Sequence, residues 1–200
     1  MDYKDGFAYH IKESYFDKVN DDKLMKNKEN GNYRPTYYCY KEADSQLIWV
    51  VPMSTQVEKF RKIAQKSIDK YGECNGIYID KFDGKENAFL IQNMFPITEK
   101  YISHIHTRNN NPVPVNANIK KEVKKRVNKA LALLKKGKKI IFPDVKRLKK
   151  MMIDELNTEK SAERKNAAIF SRATQKAFAE KAAEQPMQQR NDKSKDDIIH

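Results

Sequence analysis

Along its first half the chain alternates short apolar runs with polar turns, a rhythm that predicts strands. Phe7 to Ile11 predicts a short strand, and Ser14 is placed to cap a helical turn after it. Asp21 to Asn32 is rich in Asn, Lys, Asp and Gly and reads as a loop. Thr36-Tyr37-Tyr38-Cys39-Tyr40 and Leu47-Ile48-Trp49-Val50-Val51 are β-prone runs joined by the polar stretch Glu42-Ala43-Asp44-Ser45, which predicts a hairpin. A second hairpin is expected from Gly76-Ile77-Tyr78-Ile79 and Ala88-Phe89-Leu90-Ile91 around Asp83-Gly84-Lys85. Asn109 to Pro112 reads as a loop.

Helical signals enter at four places. Ser54 or Thr55 can cap a helix from about Gln56 to Tyr71, with Glu58 completing a capping box with Thr55 and Gly72 ending it. Ile119, Val123, Val127, Leu131 and Leu134 fall on one face of a later helix that Gly137 stops. Pro143 marks a break before a helix near Val145 to Leu156. Beyond Asn157 the chain turns to Ala, Gln, Lys and Glu, predicting a lone helix over Ala162 to Gln185 and a frayed end over Arg190 to His200. The fold class expected is α+β: a curled antiparallel sheet with inserted helices. The expected domains are residues 1–156 and a charged helical or partly disordered tail, 157–200.

Charge sharpens this picture. The net charge is +13, and Ile119 to Lys150 alone holds 14 basic residues against Glu122 and Asp144, or +12. A concentrated basic segment favours a phosphate-rich partner, although a solvated lysine face has the same composition. Two cysteines, no signal-like N-terminus and no membrane-length apolar run lead us to expect a cytoplasmic protein with reduced thiols and no membrane association.

No phosphate-binding glycine loop, nucleophile elbow, zinc-ligand spacing or carboxylate cluster is present, so neither metal nor cofactor is expected. If the chain cuts RNA, a metal-free route is the one expected, in which the substrate's own 2′-hydroxyl attacks and the protein supplies proton transfer and charge stabilisation. Ser54 and Thr55, between a strand and a helix N-terminus, suit a phosphate contact, and Lys59 lies one turn further on. Arg34 and Tyr15 are candidate catalytic partners. His10, Tyr33 and Tyr37 are candidates for contacting RNA, as are Lys120, Lys121, Lys124, Lys125, Arg126, Lys138 and Lys139. His104 and His106 fall at a loop edge and carry no assignment.

Four ordered motifs, Tyr-Arg-Pro-Thr-Tyr-Tyr-Cys-Tyr (33–40), Trp-Val-Val-Pro-Met-Ser-Thr-Gln-Val-Glu-Lys-Phe (49–60), Ala-Phe-Leu-Ile-Gln-Asn-Met-Phe-Pro-Ile (88–97) and Lys-Ile-Ile-Phe-Pro-Asp-Val (139–145), carry a resemblance. Over about Phe7 to Leu156 the chain resembles toxins of bacterial type III toxin–antitoxin systems, the ToxN/AbiQ/CptN group and its CptIN-like branch. The resemblance implies a curled sheet like that of the MazF/Kid toxins. It implies a metal-independent endoribonuclease acting on mRNA and leaving a 2′,3′-cyclic phosphate and a 5′-hydroxyl. It also implies an RNA pseudoknot antitoxin, a cyclic toxin–RNA assembly, and a role in phage defence or plasmid maintenance. The family's hydroxyl pair falls on Ser54 and Thr55, with Thr55 the main phosphate contact. Some members carry a lysine two positions beyond the pair, where this chain has Val57, and Lys59 then substitutes from the next turn. Arg34 matches a basic residue near the aromatic strand after a shift, and Tyr15 falls near a functional tyrosine. A non-catalytic RNA- or DNA-binding regulator is the alternative, and a module whose tail recruits a protein is a third.

Overall fold

The computed structural model describes residues 6–29 and 31–183. Contacts divide the chain into two compact units, Met1–Leu156 and Asn157–His200. In the first unit, β1 (Ala8–Ile11) leads into α1 (Glu13–Val19). Lys12 precedes that helix without a side-chain cap, and Ser14 lies inside it rather than capping it. The expected loop at 21–32 contains a two-residue ladder, β2 (Lys28–Glu29) with β3 (Asn32–Tyr33). Next come the first predicted hairpin, β4 (Thr36–Lys41) and β5 (Ile48–Ser54), then α2 (Val57–Tyr71). The second predicted hairpin is β6 (Ile77–Phe82) with β7 (Lys85–Leu90). Asp83 and Gly84 between them both have positive φ, 52° and 77°, as a tight two-residue hairpin turn requires.

The chain then makes a 3₁₀ turn at Ile91–Asn93, β8 (Phe95–Ile97), a second 3₁₀ turn at Glu99–Tyr101 and β9 (Ile102–Ile105). The loop expected at 109–112 is a small hairpin, β10 (Thr107–Arg108) with β11 (Asn111–Pro112). Asn109 and Asn110 supply its two positive φ angles, which asparagine tolerates better than most residues. Next is α3 (Ala117–Lys135), capped by the Asn116 side chain, which accepts from the Ile119 N–H at 2.8 Å. The last helix, α4, runs from Val145 to Ala183 where two shorter helices were expected, because no residue near Asn157 breaks it. The expected frayed end, Arg190 to His200, lies outside the described residues.

The main sheet is antiparallel, ordered β6-β7-β5-β4-β1-β9, with β8 also on β5. Strand β5 explains why Leu47 to Val51 is apolar without interruption. Its alternate side chains enter two cores, Trp49, Val51 and Met53 in one and Ile48 and Val50 in the other. The first core closes against α3 through Ile119, Val123, Val127 and Ala130, with Leu131 and Leu134 partly buried beside them. The second closes against Tyr15 and Val19 of α1 and Leu148 and Met152 of α4. A smaller cluster seats Phe60 of α2 on Ile77, Ala88 and Leu90. The two cysteines form no disulfide, Cys39 lying in the first core and Cys74 against the third.

The sheet curls until the chain just past β6 meets the chain just past β9. His106 lies 3.2 Å from Asp83 and its ring centre is 5.5 Å from that of Phe82. β6 and β9 do not pair, so the sheet is curled but open. No helix among the described residues is long and apolar enough to cross a membrane.

Candidate active site at the end of strand β5

Strand β5 changes partners along one edge. Ile48 to Val50 pair with β8, and Met53 and Ser54 pair with β7. Pro52 falls between the two ladders. The Met53 N–H bonds to the Pro35 carbonyl at 3.1 Å, so in antiparallel alternation the nitrogen of Pro52 faces the opposite edge. No strand is registered there, and a residue without an N–H costs nothing at that place.

Beyond Pro52 the strand end is held by Arg34. This residue is buried, and its guanidinium donates from one terminal nitrogen to the Met53 carbonyl at 2.6 Å and from Nε to the Lys26 carbonyl at 3.2 Å. Its backbone N–H bonds to the Asn27 carbonyl at 2.7 Å. Asn27 is buried too, and its side-chain amide donates to the Ile11 carbonyl and to the Glu13 carboxylate, each at 2.9 Å. The loop before β3 is therefore tied to β1, α1 and β5 through two buried polar side chains.

Ser54 closes the strand and is buried, and Thr55 beside it is exposed. The Ser54 hydroxyl accepts from the Gln56 N–H at 3.2 Å, which turns the chain into α2. Gln56, not Thr55, is the residue that precedes that helix, it makes no side-chain cap, and Glu58 lies beside Arg61 at 3.5 Å. The start of α2 thus presents backbone N–H groups next to two hydroxyls, an arrangement that favours an anion. Gly72, with φ 76°, ends the helix as expected.

The other candidates divide. Lys59 is exposed, with its ammonium 5.7 Å from the ring centre of Phe60. Tyr33, next to Arg34, is 45% exposed, with the Lys28 ammonium 4.8 Å from its ring centre. Tyr15 is fully buried, donates its hydroxyl to the Pro96 carbonyl at 2.9 Å and stacks on Phe95. Burial pushes that phenol well above its ordinary pKa, and a hydroxyl so enclosed and already donating is not open to a substrate. Tyr37 is likewise core, edge-on to Phe89, and cannot stack on a base.

On α3, Lys121, Lys124 and Lys125 are exposed and Lys120 is half-buried. Arg126 is folded back, 4.8 Å over the Tyr78 ring and paired with Glu122. Lys138 and Lys139 follow the helix in exposed chain.

His10 belongs to a different constellation, which the sequence does not reveal. It pairs across strands with His104 and stacks on it, with ring centres 4.6 Å apart. Its Nε2 is 3.1 Å from Nδ1 of His106, whose Nε2 reaches Asp83. Arg108 pairs with the same Asp83 at 2.9 Å. By strand alternation His10 shares a sheet face with Ala8, which is in the first core, whereas Ser54 alternates away from Met53 of that core. The histidines are therefore separate from the Ser54 site. Stacked rings direct their in-plane lone pairs along parallel planes. Among the described residues no group of His, Cys, Asp and Glu is arranged to hold a metal ion.

Solved structures resemble this arrangement of strands and helices. One, described as "A processed non-coding RNA regulates a bacterial antiviral system", matches with a TM-score of 0.54 at 15% identity, over 74% of this chain and 98% of its own. This chain shares that fold. A second, "Structure and activity of AbiQ, a lactococcal anti-phage endoribonuclease belonging to the type-III toxin-antitoxin system", covers 66% of this chain and 73% of its own at 14% identity, with a TM-score of 0.39. That likeness is too loose to add to the fold assignment. No family model and no curated protein matches the sequence. Identities this low establish the path of the chain and leave its chemistry to be argued from the residues around Ser54.

Proposed function

We propose that the chain is an endoribonuclease toxin of a type III toxin–antitoxin system, acting in the cytoplasm on mRNA and restrained by an RNA pseudoknot. The observation that carries this reading is the hydroxyl pair Ser54–Thr55, held between a tethered strand end and an uncapped helix start beside the buried Arg34. In this reading the substrate's 2′-oxygen attacks the adjacent phosphorus as its proton is removed. The bond to the 5′-oxygen breaks and that oxygen takes up a proton, leaving a 2′,3′-cyclic phosphate and a 5′-hydroxyl. Thr55 contacts the scissile phosphate, and the first-turn N–H groups of α2 spread the developing charge. Arg34 is a positioning residue whose charge adds to the field at the strand end. Lys59 is the assigned proton carrier, and the reaction uses no metal. Residues 1–156 hold this chemistry, in a sheet of MazF/Kid type, and 157–200 form an appended segment. The exposed lysines of α3 take the phosphates of the RNA inhibitor in a cyclic toxin–RNA assembly, and release serves phage defence or plasmid maintenance.

The test uses purified protein, a mixed-sequence RNA and EDTA. Wild type should generate 2′,3′-cyclic phosphate ends, and Ser54→Ala/Thr55→Ala should lower the rate at least about 100-fold, the size of loss seen when a contact to developing charge is removed. Intact RNA after incubation with wild type sinks the reading. Salt-dependent RNA binding without cleavage, indifferent to both substitutions, would favour the non-catalytic regulator instead.

A further inference from the structure

The chain between α3 and α4 holds an aromatic ring in water although its backbone is fixed. Ile141 and Pro143 are buried on either side of Phe142. The Phe142 N–H bonds to the Gln92 carbonyl at 2.8 Å, and the Asp144 N–H to the Asp21 carboxylate at 3.0 Å. The side chain of Phe142 is nevertheless 50% exposed. It forms one wall of a concavity of about 260 Å³ that Lys23, Lys138, Lys139 and Lys146 also line. These four lysines are exposed, and among the described residues none pairs with an acid. The one carboxylate among the described lining residues, Asp144, accepts from the Arg147 N–H at 3.1 Å and so caps the start of α4. The rim is left with a strong positive excess. That volume falls below the roughly 300–1,000 Å³ of pockets for drug-sized ligands and suits one planar group.

We propose that this concavity is a subsite for one unpaired nucleotide of a single-stranded RNA, with Phe142 stacking on the base and Lys138, Lys139 and Lys146 contacting the flanking phosphates. A rigid ring presents its face at little entropic cost, and stacking on it requires a base free of a duplex. An acidic peptide would satisfy the lysines but would leave the ring face without a partner. The inference rests on the reading that RNA is the ligand, and it concerns binding, not cleavage.

The experiment measures anisotropy of a labelled 2′-O-methyl oligonucleotide, which lacks the free 2′-hydroxyl needed for cleavage, against full-length wild type, Phe142→Ala and Phe142→Trp. The single strand, a duplex of the same sequence and poly-glutamate are compared. Phe142→Ala should weaken single-strand binding about 5- to 150-fold, the range for losing one base–aromatic stack. Duplex binding and the salt slope should stay as in wild type, and Phe142→Trp should restore affinity. Because the ring is exposed, melting temperatures should agree among the three proteins. Equal single-strand affinity of Phe142→Ala and wild type, an equal loss on the duplex, or tighter binding of poly-glutamate than of RNA would each overturn the proposal. Wild type that cuts RNA while Phe142→Ala binds it normally would overturn this inference alone. Wild type that binds the single strand through Phe142 but leaves RNA intact would overturn only the catalytic reading.

Discussion

Replacing His10 should alter how stability depends on pH, because His10 belongs to the contacts across the open seam of the sheet. The tautomers there are interlocked. His106 gives its Nε2 proton to Asp83, so its Nδ1 accepts, and His10 must donate from Nε2. That leaves the His10 Nδ1 as a bare lone pair with no hydrogen-bond partner among the described residues, and a second proton would have to be placed there. Burial, then the neighbouring His104 and His106, push the His10 pKa from 6.5 down to about 4. Asp83 lies one ring further on, against His106 and Arg108. A base with a depressed folded pKa leaves the unfolded chain binding more protons between the two values. Stability is therefore full above pH 6.5 and is lost as pH falls toward 4. Going from pH about 7.5 to about 5 the loss attributable to His10 is about 2 kcal/mol at face value. His10 is only half-buried, and solvent screening brings this to about 1 kcal/mol. Urea unfolding of wild type and His10→Gln across this range checks it, since glutamine keeps an amide donor and does not titrate. The two stability curves should converge by about 1 kcal/mol as pH falls, because only wild type carries the His10 loss. Parallel curves would refute the argument, as would convergence only below pH about 4.5, where carboxylates dominate.

Two other substitutions test how the strand end and the seam are built. Arg34→Ala should destabilise the protein by about 2–4 kcal/mol, because two carbonyls lose a charged donor in a buried setting, and Arg34→Lys should recover only part, since one ammonium cannot replace a planar fork. A shift in unfolding free energy under about 0.5 kcal/mol would remove Arg34 from its tethering role. Gly84→Ala should cost about 1–2 kcal/mol by thermal unfolding, because an L side chain is strained at φ 77° and its Cβ would approach the Arg108 guanidinium to 2.8 Å. An unchanged melting temperature would mean the hairpin turn relaxes without resistance.

The elements legible in the sequence were those set by neighbours along the chain. Asp83-Gly84 encodes a tight turn, Gly72 and Gly137 stop helices by their positive φ, and Ile119, Val123 and Val127 mark the buried stripe of α3. Asn109-Asn110 carries the same kind of turn signal, within a stretch to Pro112 that reads as loop by composition. Features set by pairing across the sheet were not legible. A proline at position 52 looks like the end of a strand until the change of partners from β8 to β7 is known. Nothing local says which tyrosines are core and which can meet a ligand, and Tyr15 and Tyr37 are buried in the two cores. His10 and His106 are 96 residues apart, and nothing local announces their contact.

The position of the Ser54 site follows from how β5 exhausts its hydrogen-bonding partners. A strand end inside a sheet normally continues into paired backbone, which leaves no polar groups for a ligand. Here β8 leaves β5 at Val50 and β7 joins it for only two residues, so the ladder is ending as the chain reaches Ser54. Arg34 takes the carbonyl of Met53, and Ser54 takes the first amide of the turn. The strand end is thus satisfied by side chains and held without a continuing strand. The Val57 amide is taken by the Thr55 carbonyl at 2.8 Å, and the amides after it, of Glu58 and Lys59, open the first turn of α2, whose Gln56 makes no side-chain cap. Satisfying those donors with an anion is then favourable, because the alternative is water at the positive end of a fifteen-residue helix. A phosphate bound there would meet a hydroxyl whose backbone is fixed on the strand side by Arg34 and on the helix side by Ser54. That rigidity is what distinguishes this junction from an ordinary helix cap.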